Sequence, residues 1–434
     1  MLSDPTPLLL LTVAAVFLLL ASGMKIAVVL ALCGILGFLV LRGNTGLAFV
    51  IPFSVLDSFV LIAVPLFIFM GEILMKSEVS DMVYRGVSKW LAWAPGGLLH
   101  SNIGACALFA SVSGSSPATA ATVGTVAIPQ MAKRGYDKRL VLGSITAGGT
   151  LGILIPPSIT MIIYGWLTST SVGALFMAGV LPGIMLALMF MLYIAARVVT
   201  RPELAPRDEY KISPKGLVLS VLDLWPILIL FVVIFGGIFG GVVTPSEAAA
   251  VASATALGIA LALRKLSWQQ LRDSLVSAAQ TTSMVFFIVV GASILGGFVA
   301  QARIPTAVMN SLLAIEVPRI VVLMLIYLIY IVLGCFMSVL PILVMTIPIT
   351  VPVILSLGYD IVWFGVVIVV LAELAMVTPP VGVNLFVVKG ISNQKLSVVV
   401  EGVAPFIVVL IVALAILTAF PSIALWLPSL LFPG

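Results

Sequence analysis

Apolar runs of about 20 residues recur along the whole of this 434-residue chain and leave few options for its fold. In hydrocarbon every backbone amide and carbonyl must find a partner inside the protein, so only helices and closed barrels span a bilayer. The ~10-residue alternation of an outer-membrane barrel is absent. Charged residues make up 9% of the chain, against about 25% in soluble domains, which excludes a water-soluble fold. We therefore expect an all-α polytopic membrane protein.

The few reactive side chains narrow the function classes. The net charge of +5 comes from basic residues in short loops, where they set orientation, so no nucleic-acid partner is expected. Cys33, Cys106 and Cys335 lie in apolar segments without ligand spacing, which indicates packing residues. His100 is the single histidine, so histidine-based metal sites are not expected. We expect no organic cofactor and no enzyme activity, because no convergent catalytic set is visible.

Two stretches of the chain read as copies of one motif. The first runs GYDKRLVLGSITAGGTLGILIPPS over Gly135–Ser158, and the second runs GYDIVWFGVVIVVLAELAMVTPPVG over Gly358–Gly382. A Pro-Pro pair follows each opening glycine at the same distance (156 − 135 = 379 − 358 = 21). Upstream, FIFMGEIL at 67–74 resembles FIVVGASI at 287–294, at an offset of 220. Repeated hydrophobic segments with matching Pro interruptions indicate the binding site of a secondary transporter.

The order of apolar, polar and interrupted segments predicts two halves joined by a linker. The predicted pieces are a first repeat over 1–199 (hairpin 97–130, interrupted helix 140–168), a cytoplasmic linker over 200–215, and a second repeat over 216–434 (hairpin 318–357, interrupted helix 360–390). One continuous helix is expected near the end of the chain, over about 402–430.

Loop charges predict that the two repeats are inverted in the membrane. The loop MAKRGYDKR carries four basic residues, whereas its counterpart LSLGYDIVW carries none. At the far ends the bias reverses, since YGWLTSTSVG has no basic residue and VKGISNQK contains Lys389 and Lys395. Basic loops stay on the cytoplasmic side, so equivalent points lie on opposite sides. With both hairpins re-entrant, ten crossings remain, five per half, and both termini are expected in the periplasm.

Each Pro-Pro pair removes two amide donors and frees carbonyls of the preceding turn. Such a break is tolerated at membrane depth where protein or a polar cavity surrounds it, and free carbonyls suit hard cations. The residues flanking the first break are Gly148, Gly149, Thr150, Gly152, Pro156, Pro157 and Ser158. Those flanking the second are Glu373, Thr378, Pro379, Pro380, Gly382 and Asn384. The alternative is a pair of packing kinks without a binding role.

The turns of the two hairpins supply the opposing half of each predicted site. The first turn contains Ser113, Gly114, Ser115, Ser116, Pro117, Ala118 and Thr119. The second, less polar turn contains Gly334, Met337, Ser338 and Pro341. Hydroxyls, carbonyls and half-helix N-termini facing each other predict a site for Na⁺ and an anionic substrate group, with more side-chain contacts in the first half and more backbone contacts in the second. Close helix packing through small residues is the alternative.

Ionisable residues at membrane depth are few, and such residues are functional candidates by default. They are Asp57, Glu72, Asp223, Glu247 and Glu373. Asp223 and Glu247 lie near expected helix ends, where a capping or interfacial role is expected. Glu373 precedes the second break and is the candidate for a proton or cation role, or for orienting the break. So few carboxylates favour carbonyl-coordinated Na⁺ over a proton relay.

Two long blocks resemble a known family. GSSPATAATVGTVAIPQM, continued by KRGYDKRLVLGSITAGGTLGILIPPSITMIIYG, and FGGIFGGVVTPSEAAAVAS at 235–253 are similar to the signature of the large membrane subunit, the DctM type, of tripartite ATP-independent periplasmic (TRAP) transporters. The resemblance covers essentially the whole chain.

The resemblance implies an elevator-type importer of organic acids in the bacterial inner membrane, with scaffold and transport domains and Na⁺ as coupling ion. It implies two partners, a soluble periplasmic substrate-binding protein and a small four-helix membrane subunit. It also places sodium sites between Ser113–Pro117 and Gly148–Pro157, and between Met337–Pro341 and Met376–Pro380, with the substrate between them.

A membrane-embedded enzyme and a passive channel are the two alternatives to a transporter. A membrane-embedded enzyme would need paired carboxylates or metal-binding histidines converging on one place. A passive channel would not need two inverted broken-helix modules with hydroxyl-rich turns. The sequence therefore favours the secondary transporter.

Overall fold

The chain folds into helices joined by short turns. The computed structural model describes residues 6–43, 45–77, 79–91, 93–206, 214–314 and 317–431, and these contain no β-strand. The α-helices are α1 (Thr6–Ala21), α2 (Ile26–Arg42), α3 (Gly46–Leu56), α4 (Ala63–Lys76), α5 (Val79–Leu91), α6 (Leu98–Ser113), α7 (Ser116–Lys133), α8 (Lys138–Leu154), α9 (Ile159–Thr168), α10 (Val172–Thr200), α11 (Pro214–Phe231), α12 (Gly237–Phe239), α13 (Pro245–Ala262), α14 (Trp268–Gln301), α15 (Ile304–Ala314), α16 (Arg319–Gly334), α17 (Val339–Ser356), α18 (Ile361–Val377), α19 (Val383–Ser392), α20 (Leu396–Ala419) and α21 (Ser422–Leu431).

Many of these helices are long and apolar enough to cross a bilayer. Within the described residues, eight helical stretches reach at least 18 residues with the required hydropathy, and α1 and α2 are among the shorter apolar helices. This confirms the all-α polytopic class. The number of crossings, their orientation and the boundaries of the two repeats stay predictions. Residues 207–213 of the predicted linker and both chain ends lie outside the described residues.

A helical hairpin occurs in each half. α6 and α7 are separated by Gly114 and Ser115 alone, and α16 and α17 by residues 335–338. Gly114 adopts a left-handed conformation (φ 58°), which ends α6 and reverses the chain at little steric cost. We call the turn residues 113–119 the first tip and residues 334–341 the second tip.

An interrupted helix follows each hairpin. α8 and α9 are separated by residues 155–158, and α18 and α19 by residues 378–382, so both Pro-Pro pairs interrupt their helices as predicted. Both Pro-Pro peptide bonds are cis. We call residues 155–158 the first break and residues 378–382 the second break.

The repeated Gly-Tyr-Asp starts each interrupted helix by the same local chemistry. Gly135 and Gly358 have positive φ angles of 77° and 78°, which turn the chain after the preceding helix. The carboxylates of Asp137 and Asp360 then cap α8 and α18 by accepting hydrogen bonds from first-turn amides. The motif is therefore a helix stop followed by a helix start.

The first segments of the two interrupted helices form the centre of the fold. Every residue from Leu140 to Leu154 in α8 and from Trp363 to Val377 in α18 is buried. A helix that is apolar on all sides belongs in such a core. α8 packs against α6, α7 and α20, and its Gly143 touches the backbone of Gly402 in α20, so neither position has room for a larger residue.

The two halves exchange contacts beyond the breaks. α9, which follows the first break, packs against α17 of the second hairpin, whereas α19, which follows the second break, packs against α7 of the first hairpin. The segment after each break therefore lies against the hairpin of the opposite half.

A second group of helices borders this centre on one side. α2 packs along α14 where glycines 34, 37 and 291 permit close approach, and α4 packs on α13 and α14. Two serines join α13 to the α4 side, because Ser246 Oγ donates to Phe59 O at 2.9 Å and Ser253 Oγ to Leu66 O at 2.7 Å. α14, 34 residues long, also contacts α17, so this group touches the second hairpin.

One expected helix is wrong, the capping role of Asp223 is not observed while its interfacial role stays a prediction, and the capping role of Glu247 is confirmed. The helix expected over 402–430 is two helices, since α20 ends before Pro421, and the residue before a proline leaves the helical conformation. Asp223 lies inside α11 and pairs with Lys89 of α5 at 2.8 Å instead of capping a helix. Glu247 does cap, forming a reciprocal capping box with Thr244 at the start of α13.

Candidate functional site

One cavity of about 380 Å³ lies between the two tips, α4, α14 and the helix ends beside the two breaks, while residues 155–158 and 378–382 of the breaks do not line it. Its lining residues are Ile68, Gly71, Glu72, Met75, Ser113, Gly114, Ser115, Ser116, Pro117, Ala118, Ile153, Ile159, Thr160, Thr281, Met284, Val285, Ser338, Val339, Leu340, Met376 and Val383. Segments more than 200 residues apart therefore line one cavity.

Four helices present their N-terminal ends to this cavity. First-turn residues of α7, α9, α17 and α19 line it, and each of these helices has at least ten residues. Unpaired amides and the aligned peptide dipoles place about half a positive charge at such an end. Their convergence makes the cavity favourable for an anionic group.

Three helices present their C-terminal ends to the same cavity. Ser113 ends α6, and Ile153 and Met376 lie in the last turns of α8 and α18. The carbonyls at these ends carry partial negative charge. Anion-favouring and cation-favouring ends thus lie side by side, as in transporter sites that bind an anionic substrate together with Na⁺.

Hydroxyls and a carbonyl cluster at the first tip. Ser113 Oγ and Thr119 Oγ1 share a hydrogen bond of 2.7 Å, and Thr119 Oγ1 also donates to Ser115 O at 2.9 Å. The amide of Ser115 donates to Ser113 Oγ at 3.4 Å. These bonds hold three oxygens close together at the end of α6.

The first tip lies directly against the interrupted helix. A β-carbon added to Gly152 would lie 2.7 Å from both Ser115 O and Thr119 Oγ1, and one added to Gly114 would lie 3.1 Å from Pro157 O. The tip oxygens therefore lie against the last turn of α8 and the first break. Neutral hydroxyl and carbonyl oxygens in such a cluster are ligands that fit a hard cation such as Na⁺.

Gly148, Gly149 and Thr150 are buried behind the cavity and do not line it. A β-carbon on Gly148 would meet Cys106 of α6 at 3.0 Å, and one on Gly149 would meet Ala120 of α7 at 2.6 Å. These glycines let both helices of the hairpin approach α8. Their observed environment is that of packing residues.

The second tip and break are more open and less polar than the first. Pro156 and Pro157 are buried, but Pro379 and Pro380 are exposed, and so is Ser338. Gly334 contacts Ala375 of α18 closely, and Thr378 Oγ1 donates to Leu374 O at 2.6 Å. Of the predicted second-site residues, Ser338 and Met376 line the cavity. Met337 and Pro341 are buried beside it.

Two buried polar side chains near the second break have unpaired oxygens. Both carboxylate oxygens of Glu373 are buried without a hydrogen-bond partner, and so is Asn384 Oδ1. Asn384 Nδ2 donates to Ser116 Oγ at 2.7 Å and to Thr146 O at 3.5 Å. Asn384 therefore lies against the first tip and α8, although it follows the second break in the sequence.

Residues of α4 and α14 form a wall of the cavity that the two Gly-Tyr-Asp…Pro-Pro stretches do not include. Glu72 contributes from α4 and Thr281 from α14, and Thr160 comes from the first turn of α9. A sequence signal existed for Glu72, which is ionisable and lies in the repeated FIFMGEIL stretch.

The described residues include no group of three or more His, Cys, Asp or Glu side chains able to hold a metal ion.

Comparison with known proteins agrees with this architecture. The family described as "Tripartite ATP-independent periplasmic transporter, DctM component" matches residues 13–423. The C4-dicarboxylate TRAP transporter large permease protein DctM of Vibrio cholerae is 34% identical over 97% of this chain and 98% of its own length. The sialic acid TRAP transporter large permease protein SiaM of the same species is 33% identical over 95% and 96%.

Two further matches differ in length or in sequence. The isethionate TRAP transporter permease protein DctMQ of Oleidesulfovibrio alaskensis is 34% identical, and this chain spans 66% of its length. Among solved structures, the YdaH transporter of Alcanivorax borkumensis shares the fold with a TM-score of 0.58 at 13% identity, over 84% of this chain and 85% of that one.

These relatives are transporter permeases and not enzymes, which confirms both the resemblance and the expected absence of catalysis. The match spans both hairpins and both breaks. The chain belongs to the DctM family, the large permease subunits of tripartite ATP-independent periplasmic transporters.

Proposed function

We propose that this chain is the permease of a Na⁺-coupled secondary transporter that imports an organic acid across the bacterial inner membrane. The observation that carries the proposal is the convergence of four helix N-termini on one cavity between the two tips. A carboxylate placed there would receive amide hydrogen bonds and the favourable ends of the helix dipoles. Relatives named for C4-dicarboxylates and for sialic acid support this substrate class.

Sodium coupling is supported by the oxygen cluster at the first tip. Ser113 Oγ, Ser115 O and Thr119 Oγ1 lie together beside the C-terminal end of α8. An ion held there would lower the cost of placing a substrate anion in the same cavity, and the anion would do the same for the ion. Binding of the two is then cooperative, which couples uptake to the Na⁺ gradient.

An elevator movement is supported by the division of the helices around the cavity. The tips, breaks, α8 and α18 form one packed body, and we assign it as the transport domain. We assign α2, α4, α13 and α14 as the scaffold, since they pack on one another and supply one wall of the cavity. Sliding of the body along that wall would expose the cavity to each side in turn.

Two partners follow from the proposed function. A periplasmic substrate-binding protein would deliver the acid, and a small four-helix membrane subunit would flank the permease. α3 presents a large apolar surface suited to such a subunit or to lipid, with Phe49 70% and Phe53 80% exposed. Aromatic side chains of this kind dominate interfaces between proteins.

Uptake by proteoliposomes tests the proposal. The chain would be reconstituted with the membrane subunit and binding protein encoded by neighbouring genes, and labelled organic acids would be screened with and without an inward Na⁺ gradient. We expect uptake of at least one organic acid that requires the Na⁺ gradient and the binding protein, without ATP. Uptake that persists when K⁺ replaces Na⁺ would refute the coupling. Failure of every acid with a functional binding protein would refute the substrate class.

A further inference from the structure

The cavity wall formed by α4 carries a charge that the anion-binding ends do not explain. Among the described residues that line the cavity, Glu72 is the only one with an ionisable side chain. It is 20% exposed and its neighbour Gly71 lies against the first tip, where an added β-carbon would be 3.3 Å from Ser113 Cα. A negative charge therefore borders a cavity that otherwise favours anions.

The nearest cation offsets this charge in part. Lys76 Nζ lies 3.5 Å from Glu72 Oε2, one helical turn away, and is not among the lining residues. Lys76 also donates to Ser277 Oγ of α14 at 3.0 Å, and its carbonyl accepts from Gln270 Nε2 at 3.0 Å. These contacts hold the lysine at the junction of α4 and α14, while Glu72 lines the cavity.

The fold does not require a carboxylate at this place. The repeat that pairs FIFMGEIL with FIVVGASI puts Ala292 of α14 opposite Glu72 (72 + 220 = 292). Ala292 is fully buried, so the equivalent point of the second half packs without charge. The repeat therefore does not account for the charge, and Glu72 has two features that Ala292 lacks, its ion pair with Lys76 and its place in the cavity wall.

The size of the cavity limits how far a substrate charge can lie from Glu72. A cube of about 380 Å³ is about 7 Å wide. At about 7 Å and an effective dielectric constant of about 20, a like charge weakens binding by a factor of roughly 50. Lys76 Nζ lies 3.5 Å from Glu72 Oε2, and so at most about 10.5 Å from that charge (7 + 3.5), which leaves a net weakening of at most about fourfold. One anionic group fits at the helix N-termini, but a second one would meet this repulsion.

We propose that Glu72 is a specificity-determining residue, which makes the cavity prefer organic acids with one negative group and a hydrogen-bond donor at the other end over organic dianions. The donor, a hydroxyl, amide or ammonium group, would bind the Glu72 carboxylate while the acid group occupies the helix N-termini. This inference rests on the proposed function, since it specifies which organic acids the same cavity accepts.

Matched ligand pairs test the inference on the permease itself, without the selectivity of a binding protein. The full chain in lipid nanodiscs with 100 mM NaCl as the buffer salt (roughly, a Debye length of 10 Å) would be titrated at neutral pH with dicarboxylates and their monoamides: succinate and succinamate, glutarate and glutaramate, phthalate and phthalamate. Each pair has nearly the same shape and differs in one charge. Calorimetry or ligand-induced thermal stabilisation gives the ratio of dissociation constants within each pair.

We expect the monoamide of at least one pair to bind about fourfold more tightly than its dicarboxylate. Glu72→Gln should reduce this ratio to about twofold or less, whereas Glu72→Asp should retain the preference. The control Glu401→Gln removes an exposed carboxylate that pairs with Arg139 outside the cavity, and should leave the ratio unchanged.

A wild-type preference for dicarboxylates would overturn the inference, and so would an unchanged ratio in Glu72→Gln. Either result leaves the proposed function intact, because organic acids still bind. Absence of binding by every mono- and dianionic acid of the panel would also overturn the inference, whereas the proposed function is tested separately by the uptake screen with the binding protein.

Discussion

Gly152→Ala tests the proposed Na⁺ site at the first tip most directly, because the added β-carbon would contact two of the proposed ligand oxygens. The new β-carbon would lie 2.7 Å from Ser115 O and 2.7 Å from Thr119 Oγ1. Ordinary van der Waals contact begins at 3.4 Å, so the first tip must retreat by about 0.7 Å (3.4 − 2.7). One of these oxygens is a backbone atom and cannot rotate away.

The energetic cost can be bounded from the same geometry. Overpacking of a well-packed core costs about 1–3 kcal/mol. Replacing glycine by alanine inside a helix gains about 1 kcal/mol from helix propensity, which offsets part of that cost. We expect a net destabilisation of about 1 kcal/mol. The effect on Na⁺ should be larger, because displaced ligands lose ion coordination, and the apparent Na⁺ affinity should fall by about tenfold or more.

Na⁺ titration of uptake and thermal unfolding measure the two effects separately. Gly258→Ala is the matched control, since Gly258 also lies inside a helix and nothing lies within 4 Å of an added β-carbon there. This control should unfold at the same or a higher temperature and keep its Na⁺ dependence. Thr119→Val, which removes one ligand oxygen without crowding, should also lower Na⁺ affinity.

Unchanged Na⁺ dependence in both Gly152→Ala and Thr119→Val would refute the assignment of the first tip as an ion site. The hydroxyls would then serve only to shape the turn. A fall in stability without a change in Na⁺ affinity would lead to the same conclusion.

Three further changes test other parts of the structure. Pro156→Ala combined with Pro157→Ala should lower apparent Na⁺ affinity by about tenfold, because a continuous helix would pair carbonyls that the break leaves free, and Na⁺ titration of uptake measures it. Asn384→Ala should lower the free energy of unfolding by about 1–3 kcal/mol and reduce uptake, because its bridge to the first tip is lost; thermal unfolding measures the first effect. Cysteines placed at Lys138 and Asp360 should react with impermeant reagents from opposite sides of the membrane, as the inverted repeat predicts.

Controls for these experiments are available in the chain. Cys335 is partly exposed, whereas Cys33 and Cys106 are buried, so Cys335→Ser provides the background for labelling. Same-side labelling would contradict inversion. Wild-type Na⁺ dependence in the double proline variant would show that the first break is a packing kink without a role in Na⁺ binding. Full stability of the Asn384→Ala variant would show that the hydrogen bond from Asn384 to the first tip is not needed for folding.

The interrupted helices could be predicted because their cause is local. Pro-Pro inside an apolar run disrupts a helix in any context, and Gly-Tyr-Asp contains a helix stop and a helix cap within three residues. The turn of the first tip could also be predicted, because the serine-rich stretch around Gly114 interrupts an apolar segment. The helix end at Pro421 also had a local signal, but the apolar run around it suggested continuity.

The pairings across the fold could not be predicted in this way. The sequence places Asn384 with the second break, which it follows, yet it binds Ser116, 268 residues away. Asp223 and Lys89 are separated by 134 residues, and each side chain alone suggests a helix end or an interface. Such partners depend on helix packing in three dimensions, which no short sequence pattern records.

The packing of α9 and α19 against the hairpins of the opposite halves bears on how the repeat evolved. A chain comprising one half would possess a hairpin and a broken helix, but the helix that completes its hairpin would be missing. Two copies of such a chain, inserted in opposite orientations, would supply it to each other. If the two repeats are inverted as predicted, the repeat is the expected product of duplication and fusion from an antiparallel homodimer, and separating the two halves again should yield fragments that are stable only together.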